Sequence, residues 1–331
     1  MRRREFITLL SGIAASWPSP TKAQPPERLR RIGVLWPYTE ADPDSQSRIA
    51  ALRQALQDLG WIEGRNLRLD YRWGASADSP DRIRRYAMEL VALAPDVIVA
   101  GSGGIAVELK RTSRTVPIVF PTANDPVGVG LVDSLERPGG NATGFTGFES
   151  DQNEKFLELL KQIAPNVTRV AVIRNPTRGG GNANFGAIQA AALPLGMEVS
   201  PVDLRDVDAI ERGVAVFAAA QNGGLIVPPA ALATAHRDVI IKLAARYRLP
   251  AVYPLRVFVT DGGLMSYGPV TTDLYLRVAR YIDRILKGEK PGDLPVQFPT
   301  RFGLFINQKT AIALGLNVPP RLLALADEVI K

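Results

Sequence analysis

The chain has 331 residues, 46% hydrophobic and 22% charged, the balance of a globular protein long enough for two cores. Its formal charge is +7, but Arg2, Arg3, Arg4 and Lys22 against Glu5 put +3 of that in residues 1–23, leaving +4 spread over the remainder. With no basic run a nucleic-acid partner is not expected, and no segment reaches the roughly 20 uninterrupted apolar residues of a membrane span, so no stable membrane insertion is expected either.

The first segment, "MRRREFITLLSGIAASWPSPTKAQ", has a basic start, an apolar stretch over 6–15, two prolines and a small-residue site at "TKA". That layout predicts an export signal over residues 1–23, cut after Ala23. "RREFI" resembles the twin-arginine motif. The chain has no cysteine, which excludes disulfides and thiolate metal sites and removes the residue a bacterial lipid anchor needs. The exported chain is therefore expected free in a periplasm.

From about residue 30 strands and helices alternate. "RRIGVLWP" reads as a strand, and "SQSRIAALRQALQDLGW" as an amphipathic helix with Ile49, Leu52, Leu56 and Leu59 on one stripe. "NLRLDYRWG", "DVIVAGSG" and "PIVF" are further strands, separated by helices at "PDRIRRYAMELVAL" and "IAVELKRT". In "NDPVGVGLVDSL", Asp125 is a favoured helix cap and Pro126 a favoured first helical residue, so a helix is predicted over 126–136. "NATGF" then leaves this half of the chain.

The same cadence restarts at "NEKFLELLKQIA" and runs through "RVAVIRNP", "NANFGAIQAAALPLG", "MEVSPVDL", "DAIERGVAVFAAA" and "GGLIVPP". A single helix is predicted over "ATAHRDVIIKLAARYR", followed by "PAVYPL". After "LMSYGP" come an amphipathic helix at "TDLYLRVARYIDRILKG", a linker at "KPGDLP" and a strand at "FPTRFGLFIN". Helices at "QKTAIALGL" and "PRLLALADEVIK" end the chain. This order predicts α/β architecture with parallel sheets covered on both faces.

Ligands of open α/β sheets bind at the carboxyl ends of strands. Here those ends carry Trp36, Pro37 and Tyr38, then "GSGG", "PTAND", "RNPTRGGGN", "PPAALA" and "YPL". "GSGG" suits an anion at a helix start, and equally suits a turn that needs glycine. It is not the dinucleotide fingerprint, because Ala106 stands where a glycine is required, and "GGGNANFG" lacks the Lys-Ser/Thr of a P-loop. The single histidine, His236, falls inside a predicted helix and reads as a helix residue rather than a base. Asp203 and Asp206 read as solvated loop charge. No catalytic residue, metal site or cofactor is expected, and the chain does not read as an enzyme.

Leader, two α/β halves and several quoted stretches together resemble the periplasmic binding proteins of type I fold. The resemblance is nearest to the ABC-transporter substrate-binding family whose members include tryptophan binders. It is carried by "ALRQALQDLGWIEGRNLRLDYRWG", "DVIVAGSG", "NDPVGVGLVDSLERPGGNATGF", "LPAVYPL", "GGLMSYGP" and "FPTRFGLFINQKTAIALGLNVPP". It implies two Rossmann-like, flavodoxin-like lobes joined by a three-crossing hinge. Lobe 1 would be 27–144 plus 266–291 and lobe 2 145–265 plus 292–331, with crossings near Gly144, Met265 and Pro291. It also implies a small-molecule ligand, aromatic or amino-acid-like, and delivery by a monomer to a membrane permease with its ATPase. The candidate ligand residues are Tyr38, Ser102, Gly103, Thr122, Asn124 and Asp125 in lobe 1, and Asn175, Pro228, Tyr253 and Tyr267 in lobe 2. Arg174 and Arg178 stand near this set, without an obvious grip on a carboxylate. A receptor-docking sensor and an exported α/β enzyme are the alternatives that the same cleft would serve.

Overall fold

A computed structural model of the chain describes residues 29–74, 79–146, 150–176 and 179–331. The export segment and Arg178 lie outside the described residues. The first half lays down β1 (Arg30–Leu35), α1 (Pro43–Asp58), β2 (Leu67–Arg72), α2 (Pro80–Ala92), β3 (Val97–Ala100), α3 (Gly103–Thr112), β4 (Ile118–Ala123) and β5 (Ala142–Thr146). The five strands pair in parallel in the order β2-β1-β3-β4-β5. β3, "VIVA", is buried along its whole length, as expected of a parallel strand covered on both faces.

The second half runs α4 (Ser150–Ile163), β6 (Arg169–Arg174), α5 (Gly179–Ala192), β7 (Glu198–Asp203), α6 (Val207–Ala218) and β8 (Gly223–Ile226). It continues with α7 (Ala231–Ala235), α8 (Arg237–Arg246), β9 (Ala251–Tyr253), α9 (Arg256–Thr260), β10 (Met265–Pro269), α10 (Thr271–Leu286), β11 (Phe302–Asn307), α11 (Gln308–Ala313), α12 (Pro320–Leu325) and β12 (Glu328–Ile330). Its seven strands order as β12-β11-β10-β9-β8-β6-β7, and only the β10–β11 pair is antiparallel. The two-lobed α/β architecture expected from the sequence is therefore present.

α10 belongs to the other lobe. Its Tyr275, Val278, Tyr281 and Ile282 share a buried cluster with Trp36, Ile49 and Leu52 of the first half. The chain thus crosses between lobes three times, but a few residues later than expected each time. Gly144 lies inside β5, paired with Phe120, so the first crossing follows Thr146. Met265 opens β10, which pairs with β9 and β11 of the second sheet, so the second crossing follows Pro269. Residues after Pro291 stay on lobe 1: Thr143 Oγ1 donates to the Leu294 carbonyl at 2.6 Å, and the Thr146 N–H donates to the Gln297 carbonyl at 3.0 Å. The third crossing lies between Gln297 and Phe302. In each case the chain remains held by backbone bonds past the residue that composition suggested.

Other local expectations change too. Residues 126–136 form a compact turn rather than a helix, in which the Leu131 and Val132 N–H groups both donate to the Pro126 carbonyl. Gly128 and Gly130 weaken a helix there, Val127 and Val129 are exposed, and Leu131 and Val132 reach the lobe-1 core from the turn itself. The long helix expected around His236 is broken at that residue into α7 and α8. The terminal "EVI" is not helical: it adds β12 beside β11.

Candidate functional site

A cleft of about 590 Å³ opens between the lobes at the carboxyl ends of their strands. Lobe 1 lines it with Tyr38 beyond β1, the 101–104 turn beyond β3, and Thr122, Ala123 and Asn124 at the end of β4. Lobe 2 contributes Ile173, Arg174 and Asn175 at the end of β6, and Pro228, Pro229 and Ala230 beyond β8. Seven of the ten residues singled out from the sequence face this cleft: Tyr38, Ser102, Gly103, Thr122, Asn124, Asn175 and Pro228.

Three do not. Asp125 is exposed with φ of 46°, and its carboxylate accepts from the Gly128 N–H at 2.9 Å, so it closes a turn rather than capping a helix behind the site. Tyr253 is buried in lobe 2, its ring stacked on Phe258 at 4.9 Å. Tyr267 points to the opposite core, stacked on Phe302 at 5.7 Å. Both tyrosines sit on strands whose side chains alternate between faces, and a one-residue difference in register exchanges cleft for core. His236 is half-buried at the α7–α8 break, away from the cleft lining. Asp203 pairs with Arg205 at 2.5 Å and Asp206 caps α6.

The "GSGG" turn serves packing and presentation together. A Cβ on Gly101 would stand 2.6 Å from Pro37 Cδ, so β1 and β3 can come this close only with glycine there. Ser102 is the N-cap of α3, its hydroxyl accepting from the Ile105 N–H at 3.4 Å. The N–H groups of Gly103 and Gly104, in the first turn of α3, have no partner within the helix and sit where the helix dipole favours an anion.

Tyr38 and Asn124 bridge the lobes. The Tyr38 hydroxyl lies close to the Thr234 side chain of α7, both lining the cleft, and burial pushes its pKa up while nearby Arg48 partly offsets that. Asn124 Nδ2 donates to the Pro229 carbonyl at 3.2 Å. A third bridge lies beside them: Arg237 Nη2 of α8 reaches Asp42 Oδ2 at 2.6 Å, with both side chains largely buried. Arg237 is held in place on its own lobe by Asp261 at 2.7 Å and the Thr234 carbonyl at 3.1 Å.

The residue that inspection of strand ends missed is Arg48, because it comes from a helix. It lines the cleft yet is only 8% exposed. Burial alone would lower its pKa, but the charge of Asp44, with Tyr275 and Tyr38, outweighs burial and keeps the guanidinium charged. A signal for it exists in α1, where position 48 falls on the same stripe as Ile49, Leu52 and Leu56. An arginine on an apolar stripe has to find a buried partner, and Asp44 one turn earlier is that partner.

Two α/β lobes joined by three crossings, with a cleft built from strand ends and polar bridges spanning it, define a clamp-type binding protein. The chain belongs to the family of ABC transporter substrate binding proteins, whose model matches residues 41–330. A tyrosine-binding protein of Clostridioides difficile is 26% identical over 264 residues, covering 80% of this chain and 75% of that protein. Among solved structures, an ABC domain in complex with L-Trp from Streptococcus pneumonia superposes with a TM-score of 0.83 at 24% identity, covering 91% of this chain and 99% of that one. A conserved domain protein from Vibrio cholerae reaches the same TM-score of 0.83 at 27% identity, covering 91% and 100%. Membership makes this chain an extracytoplasmic substrate-binding component that takes a small molecule to an ABC transporter permease, a transport role. Among the described residues no helix is long and apolar enough to cross a membrane.

Proposed function

We propose that the chain is a monomeric periplasmic receptor that closes its two lobes on a small organic ligand, aromatic or amino-acid-like, and presents it to a permease powered by an ATPase. The observation that carries this reading is the cleft itself, lined by both lobes and spanned by the Tyr38–Thr234 and Asn124–Pro229 contacts. A ligand touching both walls stabilises the closed arrangement over the open one, which is what couples capture to a shape that a permease can recognise. Tyr38, Ser102, Gly103, Thr122 and Asn124 on one wall and Asn175 and Pro228 on the other are the proposed ligand contacts. The named ligands of the relatives, tyrosine and L-Trp, support an aromatic body. We read the leader as the means of export, the twin-arginine route being favoured by "RREFI". The cleft needs no bond-breaking group for this work, so we read the chain as a non-enzyme.

A thermal-shift screen of the mature chain against amino acids, aromatic acids, amides and sugars tests the reading. Ligand at 100 times its Kd should stabilise the chain by ~2.7 kcal/mol. For any hit, Ser102→Ala and Tyr38→Phe are each expected to weaken binding about 2- to 10-fold, the effect of losing one hydrogen-bonding group of ~0.5–1.5 kcal/mol. Titration calorimetry showing unchanged affinity in both variants would place the ligand elsewhere.

A further inference from the structure

Resting on that reading, we infer that the ligand is longer than a single amino acid: two apolar groups joined by an amide linker, the size of an apolar dipeptide or an acylated aromatic amino acid. The cleft is a trough that runs over the top of the lobe 1 sheet, from the helices on one face to the helices on the other. Strand alternation defines the two faces. Val97 and Val99 of β3 pack with α1 and α10, while Ile98 and Ala100 pack with α2 and α3. Leu274 of α10 lines the cleft at one end, and Ile83 of α2 with Val107 of α3 lines it at the other. Packed helices lie about 8–10 Å apart and packed sheets about 10 Å, so a trough that reaches both helical layers is roughly 15–20 Å long. One amino acid offers a single residue of backbone, at most ~3.6 Å, and its ring. It leaves one end of the trough unfilled.

The chemistry of the wall changes along that length. At the α10 end stand the Tyr38 ring and Leu274, both packed on the same apolar cluster. At the centre, over the strand ends, come Ser102, Thr122 and Asn124. The Ser102 hydroxyl accepts from the Ile105 N–H at 3.4 Å and keeps its own proton to donate. Asn124 uses its Nδ2 on the Pro229 carbonyl and keeps its side-chain oxygen to accept. A donor and an acceptor together match the C=O and N–H of an amide. Beyond them the wall is apolar again, with Pro80, Ile83, Val107 and Val129. Apolar, amide, apolar is the order the trough presents.

Val129 is the second observation. It lines the cleft yet is 43% exposed. The turn that carries it is tied down on both sides: Lys110 Nζ of α3 donates to the Gly130 and Leu131 carbonyls, each at 3.0 Å, and Asp125 takes the Gly128 N–H at 2.9 Å. An apolar side chain fixed at a cleft wall and left in water is stabilised when an apolar group covers it. Glu108, at the same end, is paired with Arg84 at 3.5 Å and Arg111 at 3.7 Å, so the group received there is matched best when uncharged.

Titration calorimetry on the mature chain tests this with phenylalanine, tyrosine and tryptophan and two amide extensions of each. N-isovaleryl derivatives add an apolar group at the amine, and isobutylamides add one at the carboxyl. N-acetyl derivatives and primary amides carry the same charges without that group and serve as short controls. At least one extended compound is expected to bind tenfold or more tighter than both its parent and its short control. Val129→Ser, on an exposed side chain, should then lower the advantage over the short control at least threefold. If no extended compound reaches a tenfold advantage the inference falls, while the solute-binding reading stands wherever a parent or control binds. A smaller change in Val129→Ser, with extended compound and control weakened alike, overturns it as well. Binding by none of these compounds also overturns it, and the wider thermal-shift screen then decides whether the solute-binding reading falls with it.

Discussion

Gly144→Ala is expected to destabilise the protein by about 3–5 kcal/mol, combining backbone strain with overpacking against a rigid neighbour. Gly144 has φ of 155°, which side-chain-bearing residues rarely adopt, and a Cβ built there would lie 2.0 Å from the Phe120 carbonyl oxygen. The obstacle is the backbone of β4, not a side chain that can swing aside. The contact falls where the β4–β5 pairing shifts register between Phe120 and Ala123, so the strand has little freedom to yield without losing its bonds to β5. Urea unfolding followed by circular dichroism measures the loss. A decrease below 1 kcal/mol would show that β5 can slide, and that the glycine is dispensable to the sheet edge from which the first crossing departs.

Asp42→Asn is expected to weaken ligand binding roughly tenfold while leaving the melting temperature of the ligand-free chain within a few degrees. The asparagine keeps the cap of α1, whose side-chain oxygen now accepts from the Ser45 N–H at 2.9 Å, because Asn and Asp cap helices about equally well. What it removes is the charge that Arg237 meets at 2.6 Å across the cleft. In the open arrangement both groups are hydrated, so the pair favours closure by on the order of 1–3 kcal/mol and that difference enters the apparent affinity directly. Burial alone would raise the pKa of Asp42, but the Ser45 N–H and Arg237 outweigh it and hold the carboxyl below its ordinary range. The contribution of Asp42 is therefore complete above that range and disappears as the pH falls through the lowered value. Titration calorimetry on the variant at neutral pH, with the native protein followed into acid, checks both statements. Equal affinity for native and Asp42→Asn would mean that the bridge forms whether or not the lobes hold a ligand.

Much of this organisation was legible because it follows from local rules. The parallel strands announce themselves as short apolar runs, and the search at their carboxyl ends reached Tyr38, Ser102, Thr122, Asn124 and Asn175. The errors have physical causes. Tyr253 and Tyr267 lie on strands, where alternation sends neighbouring side chains to opposite faces and register is decided by pairing partners far away in the chain. Residues 126–136 carry good helix-start chemistry, yet two glycines disfavour a helix, and Leu131 and Val132 reach the core from a turn instead. Arg48 escaped because its role depends on a helix laid alongside the cleft. The third crossing was displaced because the Thr143 hydroxyl binds the Leu294 carbonyl and the Thr146 and Gln297 backbones pair, prolonging lobe 1, and no property of those residues alone reveals such bonds.

α10 carries one more consequence, which concerns the order of synthesis. Trp36, Ile49 and Leu52 emerge early, but Tyr275, Val278 and Ile282, which bury them, are made only after ten of the twelve strands. Until the chain has grown past residue 286, the earliest lobe carries an uncovered apolar face. It therefore cannot finish folding until most of the other lobe has been made, and a fragment ending at the first crossing lacks part of its own core. The last third of the chain returns to close what the first third began, so the two lobes mature together, and neither can be excised with a single cut.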